Sequence, residues 1–183
     1  MTVLETERLA LRRLTADDAP FLLELLNDPA FLRFIGDRGV RTLDDARAYV
    51  ERGPAASYEQ HGFGLYRVAR REDDMPVGMC GLLKRDALEH ADLGYAFLPA
   101  HRGLGYARES AAAVVAHARR DLGLGRLLAI TSPDNDASIR VLEKLGFRFE
   151  RVTKLSDDAH EVKLFALEAP SAAEHAEKNG DPP

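Results

Sequence analysis

The chain has 183 residues, 45% hydrophobic and 30% charged, an ordinary composition for a water-soluble domain long enough to bury a core. Its 25 Lys and Arg stand against 30 Asp and Glu, a formal net charge of −5 with no basic cluster among aromatics, so no nucleic-acid partner is expected, whereas an amine-bearing one is electrostatically allowed. No apolar run reaches bilayer length, Met1 to Ala10 carries Glu5, Glu7 and Arg8 instead of a signal core, and the lone Cys80 permits no internal disulfide; a cytoplasmic protein that does not enter the membrane is expected.

In chain order, Leu9, Leu11 and Arg13 alternate with their neighbours as a first strand that Leu14 ends. Thr15-x-x-Asp18 is a capping-box variant ahead of Phe21, Leu22, Leu25 and Leu26, which predicts an amphipathic helix stopped by Asn27-Asp28-Pro29. Phe31 to Val40, with Phe31, Phe34 and Ile35, reads as an irregular segment. Thr42-x-x-Asp45 repeats the capping device before Ala46, Tyr49 and Val50, and Gly53-Pro54 is expected to stop that helix. Two short helices joined by an aromatic loop would floor a pocket.

Runs at Phe63 to Arg70, Val77 to Lys84 and Ala91 to Leu98 are separated by Arg71-Glu72-Asp73-Asp74 and by Arg85 to Glu89, the pattern of an antiparallel meander. His101-Arg102-Gly103-Leu104-Gly105-Tyr106-Ala107 then joins strand to helix. Ala111, Val114, Val115, Ala118 and Leu122 recur at helical spacing up to Gly123, and Arg126 to Thr131 is an apolar strand, so a parallel pair with a right-handed crossover is expected. Pro133-Asp134-Asn135-Asp136 opens a last helix through Leu145, Gly146 caps it, and Phe147 to Lys154 and Glu161 to Leu167 form a closing hairpin. The sum is a mixed α/β (α+β) sheet of about seven strands with helices on both faces. One domain over residues 1–169 is expected, followed by a disordered tail, 170–183, that loses large apolar residues and collects Pro, Ala, Glu and Asn.

The glycine turn carries the most chemistry. Gly103 and Gly105 free the backbone for close approach of a ligand, the following helix offers unpaired N–H groups and a positive dipole end, and Arg102 adds a charged fork, so a phosphate or pyrophosphate suits the turn. An ordinary glycine-containing turn is the competing reading. A dinucleotide cofactor is disfavoured because Arg108 stands where the third glycine of G-x-G-x-x-G belongs, and no Gly-Lys-Ser/Thr is present for a nucleoside triphosphate.

Several pieces in order resemble the GCN5-related N-acetyltransferase superfamily, specifically the branch with the ribosomal-protein alanine N-acetyltransferases. They are Glu5-Thr6-Glu7-Arg8-Leu9 with Leu11-Arg12, Asp92-Leu93-Gly94-Tyr95, Arg102-Gly103-x-Gly105-Tyr106-Ala107, Asn135-x-x-Ser138 and Glu143-Lys144-Leu145-Gly146-Phe147. The resemblance implies a fold whose central strands splay, with acetyl-CoA as co-substrate. The backbone of Arg102, Gly103, Leu104, Gly105, Tyr106 and Ala107 would hold the pyrophosphate, the main chain at Phe97 and Leu98 would pair with the pantetheine arm, Asn135 would contact that arm, and Ser138 would lie near the sulfur. The acceptor would be a primary amine on a protein N-terminus or a small molecule, attacked directly in a ternary complex. Dimerisation is implied by resemblance alone.

For the chemistry, Asp92 is the candidate base, although the branch commonly has the longer Glu there; a structural ion pair is the alternative. The last helix lacks the tyrosine that many superfamily members use as the acid, which leaves Ser138 as the matched hydroxyl, with helix capping as its other use and Asp136 as a rival cap. Cys80 in an apolar strand reads as packing, Tyr95 and Tyr106 likewise, and the scattered histidines do not predict a metal. Arg108, Arg140 and Lys144 are candidates for touching CoA phosphates. A non-catalytic acyl-CoA sensor or scaffold on the same fold is the alternative function.

Overall fold

The computed structural model describes residues 2–169, and the tail expected at 170–183 lies outside the described residues. Short alternating runs assemble one sheet from β1 (Thr2–Glu5), β2 (Leu9–Arg13), β3 (Leu65–Arg70), β4 (Pro76–Leu83), β5 (Asp92–Phe97), β6 (Leu127–Thr131), β7 (Arg148–Thr153) and β8 (Val162–Leu167). Their spatial order is β1-β2-β3-β4-β5-β6-β8-β7, antiparallel everywhere except between β5 and β6. Against the expected seven strands the described residues form eight. The addition is β1, a half-exposed edge strand of four residues, too short for alternation to register in the sequence.

The helices lie on both faces, as expected. Ala111, Val114, Val115 and Ala118, on the helix that follows the glycine turn, bury against Leu9, Leu11, Cys80, Leu82, Leu93 and Phe97. The opposite face carries Phe21, Leu22, Leu25, Phe31, Ala46 and Val50 against Leu65 and Met79. The first helices are α1 (Ala19–Leu26), α2 (Pro29–Phe34), α3 (Leu43–Val50) and α4 (Ala56–His61); α5 is Tyr106–Arg120 and α6 is Asp136–Lys144. The capping box at α3 is complete, with Asp45 N–H donating to Thr42 Oγ1 at 3.1 Å and Thr42 N–H donating to the Asp45 carboxylate at 2.9 Å. The other box, Thr15 with Asp18, opens a short 3₁₀ turn that leads into α1. No helix among the described residues is long and apolar enough to cross a membrane.

Two expectations about this face are corrected. Asn27-Asp28-Pro29 stops α1, but the segment that follows is helical as α2, because Asp28 accepts from the N–H groups of Ala30 and Phe31 while Pro29 takes the first helical position, where a missing N–H costs nothing. Gly53-Pro54 does not stop α3. The chain continues through a π-helical turn, Glu51–Ala55, whose wider winding spares Pro54 the clash it would meet in an α-helix, and runs on as α4 until Gly62 caps it at φ 78°.

The feature that positions the site is the seam between β5 and β6. They pair only at Asp92 with Leu128 and Leu93 with Ala129, so β5 from Gly94 to Phe97 has a free edge. Which groups line that edge follows from period two. Leu98 N–H bonds Val77 O and Leu128 N–H bonds Ala91 O, each at 2.9 Å, so even-numbered residues spend their main chain on β4 while Tyr95 and Phe97 turn theirs into the gap.

Candidate active site

The glycine turn opens onto this gap. A 3₁₀ turn, Pro99–His101, leads into it, and Gly103 and Gly105 have φ 74° and 83°, the left-handed region that a side chain strains. Gly105 is the N-cap of the 15-residue α5 and no side chain caps the helix, so its first N–H groups have no side-chain partner. These main-chain donors and the helix dipole make an anion site. The Arg102 fork expected to assist is turned elsewhere: Nε donates to Phe97 O at 2.9 Å and the guanidinium pairs with Asp28, the cap of α2. Arg108, Arg140 and Lys144 are exposed. Leu98 spends its N–H on Val77, so the free strand edge runs through Tyr95 and Phe97 and not through Leu98.

Across the gap stand β6 and the start of α6. Asn135 is the cap, its Oδ1 accepting from Ser138 N–H at 3.2 Å, which leaves its Nδ2 as a donor and removes both Asp136 and Ser138 from the capping role. The Ser138 hydroxyl is 3.0 Å from Tyr95 OH, a contact that sequence reading missed because it joins β5 to α6 across 43 positions. Burial pushes the Tyr95 phenol up to about 12. Thr131, where β6 has left β5, has a buried hydroxyl with no hydrogen-bond partner among the described residues. That hydroxyl is left free to bond a polar ligand.

At the vertex of the gap lies Asp92, fully buried, on the face opposite Leu93, Tyr95 and Phe97. Both its oxygens accept from Arg85 Nε, at 3.0 and 3.1 Å. Burial raises the Asp92 pKa and the Arg85 charge pulls against it, with a net upward shift. Arg85 and Arg38 also act on the phenol of Tyr49 in α3, whose pKa burial raises. The Arg85 guanidinium is thus the charge held directly against the buried carboxylate. Arg85 lies in a stretch that reads as mere hairpin loop, and only the fold brings it to Asp92.

Cys80 sits on the α5 face, completely buried, and desolvation pushes its thiol up to about 12, the state of a packing residue and not of a nucleophile. A cavity of about 780 Å³ is lined by α1 residues Pro20, Phe21 and Glu24 with Arg67, Leu98 and His101, and by none of Phe31 to Val40.

Comparisons agree with this geometry. Residues 8–148 match the model of the acetyltransferase (GNAT) domain. The uncharacterized N-acetyltransferase YoaA of Bacillus subtilis (strain 168) is 30% identical over 154 residues, covering 83% of this chain and 86% of that protein. A putative GnaT-family acetyltransferase from Bordetella pertussis superposes with a TM-score of 0.75 at 26% identity, covering 91% of this chain and 99% of the other. RimL, a ribosomal L7/L12 α-N-protein acetyltransferase solved in complex with coenzyme A, shares the fold with a TM-score of 0.72 at 19% identity, over 92% of this chain and 98% of that one.

Proposed function

The chain belongs to the GNAT acetyltransferase family, and on that premise we propose that it moves an acetyl group from acetyl-CoA to the primary amine of a protein N-terminus or small molecule, by direct attack in a ternary complex. The observation that carries this reading is the continuity of the uncapped glycine turn with the free edge of β5 and, at its far end, Asp92. An anion site thus leads into a slot edged by amide groups, the shape and polarity of a pyrophosphate followed by the amide-bearing pantetheine arm. The residues fit that group: the N–H groups of Gly103 to Ala107 for the pyrophosphate, the main chain of Tyr95 and Phe97 with Asn135 Nδ2 for the arm, and the unpartnered Thr131 hydroxyl beside it. Bound acetyl-CoA supplies an acyl group activated as a thioester.

The chain's own residues then divide the work. Asp92 takes the proton that the amine loses on forming the amide bond, through a water because Arg85 covers the carboxylate. An α-amine with a pKa near ~8 is neutral more often than a lysine near ~10.4, which favours an N-terminal acceptor. A β5 main-chain N–H meets the negative charge on the acyl oxygen. Ser138 passes its hydroxyl proton to the departing thiolate and takes one from Tyr95, and the phenolate left behind, whose pKa is high, takes a proton back from solvent before the next turnover. Membership of the ribosomal-protein alanine acetyltransferase branch is supported by the Thr6 to Arg12 opening and the shared fold with RimL; a single catalytic domain in the cytoplasm, able to dimerise, belongs to the same reading.

The test is release of CoA thiol from acetyl-CoA over a panel of N-terminal peptides, polyamines and small amines, with Asp92→Ala and Ser138→Ala as controls. Turnover with at least one amine, reduced in both variants, is expected. Tight acetyl-CoA binding without turnover across the panel would instead favour the sensor reading.

A further inference from the structure

We infer that the turn between β1 and β2, through Thr6 and Arg8 and their partner Glu109 on α5, holds the glycine turn in its anion-binding form, which makes these three positioning residues for the cofactor phosphates. The inference rests on the reading that a pyrophosphate lies on that turn.

The cluster joins chain segments a hundred residues apart. Glu109, in the first turn of α5, accepts from Thr6 Oγ1 at 2.6 Å, from Arg8 N–H at 2.9 Å and from Arg8 Nε at 2.7 Å, with Arg8 Nη2 2.6 Å from its second oxygen. Arg8 Nη1 donates to Leu104 O at 2.9 Å, and its guanidinium lies over the Tyr106 ring, 4.7 Å from the centroid. A Cβ added to Gly105 would come within 3.3 Å of Arg8 Nη2. One side chain therefore holds the turn and the first helical turn at three positions, Leu104, Tyr106 and Glu109, and lies beside Gly105.

Two physical consequences follow. In a planar trans peptide the C=O and the next N–H point in opposite directions, so fastening Leu104 O to Arg8 turns Gly105 N–H to the other side, where an anion can use it. Charge supplies the second. A bare carboxylate in the first turn of α5 would repel a phosphate at that helix end; Thr6 and Arg8 surround Glu109 with donors and neutralise it. Burial pushes the Glu109 carboxyl up, but those hydrogen bonds outweigh it and hold it below the usual range. The loss of Arg8 thus loosens the turn and exposes a like charge together.

The same contacts could serve only to clip an edge strand to α5, and the experiment separates the two uses. CoA and pantetheine, which lacks the pyrophosphate, are titrated calorimetrically into the full chain, its Arg8→Gln and Arg8→Lys variants and the double variant Arg8→Gln/Glu109→Gln, with unliganded Tm measured alongside. Positioning predicts a CoA Kd raised at least ~10-fold in Arg8→Gln, an unchanged pantetheine Kd, and partial recovery of CoA affinity in the double variant, because the repelling carboxylate is gone. Equal weakening toward both probes, no weakening toward CoA, or no recovery in the double variant overturns the inference. Should Arg8→Gln not fold, Arg8→Lys, which retains the charge but not the fork, decides by the same CoA-to-pantetheine contrast. Failure of the unaltered protein to bind CoA fails the functional reading itself, a distinct outcome.

Discussion

At the C-terminal end of β5 the groups offered to a ligand are main-chain amides, and the side chains there, Arg8 and Arg102, face inward to hold carbonyl oxygens and neighbouring carboxylates. At its N-terminal end the offered groups are side chains, a buried carboxylate and the guanidinium that covers it. The difference teaches what each end tolerates. A main-chain site survives changes of side chain but not of backbone conformation, whereas a site of paired charges depends on residue identity and is indifferent to a strained φ. If so, substitutions at the two ends should separate donor binding from chemistry.

The largest separation is expected from Asp92→Asn, which keeps size and removes the base: kcat/KM falls by about 10²-fold or more while CoA affinity stays within about twofold. A parallel loss of CoA affinity would mean the ends are one structural unit. Next comes Gly105→Val, which forces a β-branched residue to φ 83° against Arg8. The strain of roughly 1–2 kcal/mol should raise the CoA Kd about tenfold and leave kcat at saturating acetyl-CoA largely intact, a split readable in steady-state kinetics.

A subtler contrast comes from pH. As the proposed base Asp92 would work deprotonated, so the rate should fall as pH drops through its pKa, and Arg85 is the group that pulls this pKa down against burial. In Arg85→Gln that pull is lost, the pKa rises further, and the acid limb of kcat/KM against pH moves to higher pH; an unmoved limb removes Asp92 from the base role. The smallest effect belongs to Cys80. With its thiol pushed up to about 12 and no exposed surface, it should resist iodoacetamide at pH 8 in the native protein, label on denaturation, and accept Ala within about twofold in kcat/KM.

The same contrast governs what could be read in advance. The glycine turn is a local object, with Gly103 and Gly105 at their left-handed φ and the N-terminus of α5 all within a few residues, so its chemistry is written in contiguous letters. The α3 capping box is legible for the same reason, whereas the cap of α6, read as Ser138 or Asp136, falls to their neighbour Asn135. Arg85 on Asp92, Tyr95 on Ser138 and Arg8 on Glu109 are not legible, because each pair is assembled by sheet order and helix packing. Among helices, α2 and the π turn hid behind proline, which reads as a stop yet is accommodated at a first helical position and in a wider turn. The Thr6-Glu7-Arg8 opening was visible only as a resemblance; its partner on α5 gives it a physical reason.

The seam between β5 and β6 has a further consequence. With only two residue pairs joining them, the sheet consists of a five-strand and a three-strand section sharing a short hinge of hydrogen bonds, and an amide-bearing arm laid along Tyr95 and Phe97 serves as the missing strand. In the proposed binding mode the co-substrate would be part of the architecture as well as of the reaction. At a hundred times its Kd such a ligand would add about 2.7 kcal/mol to the folded state, so saturating CoA should raise the Tm of the protein.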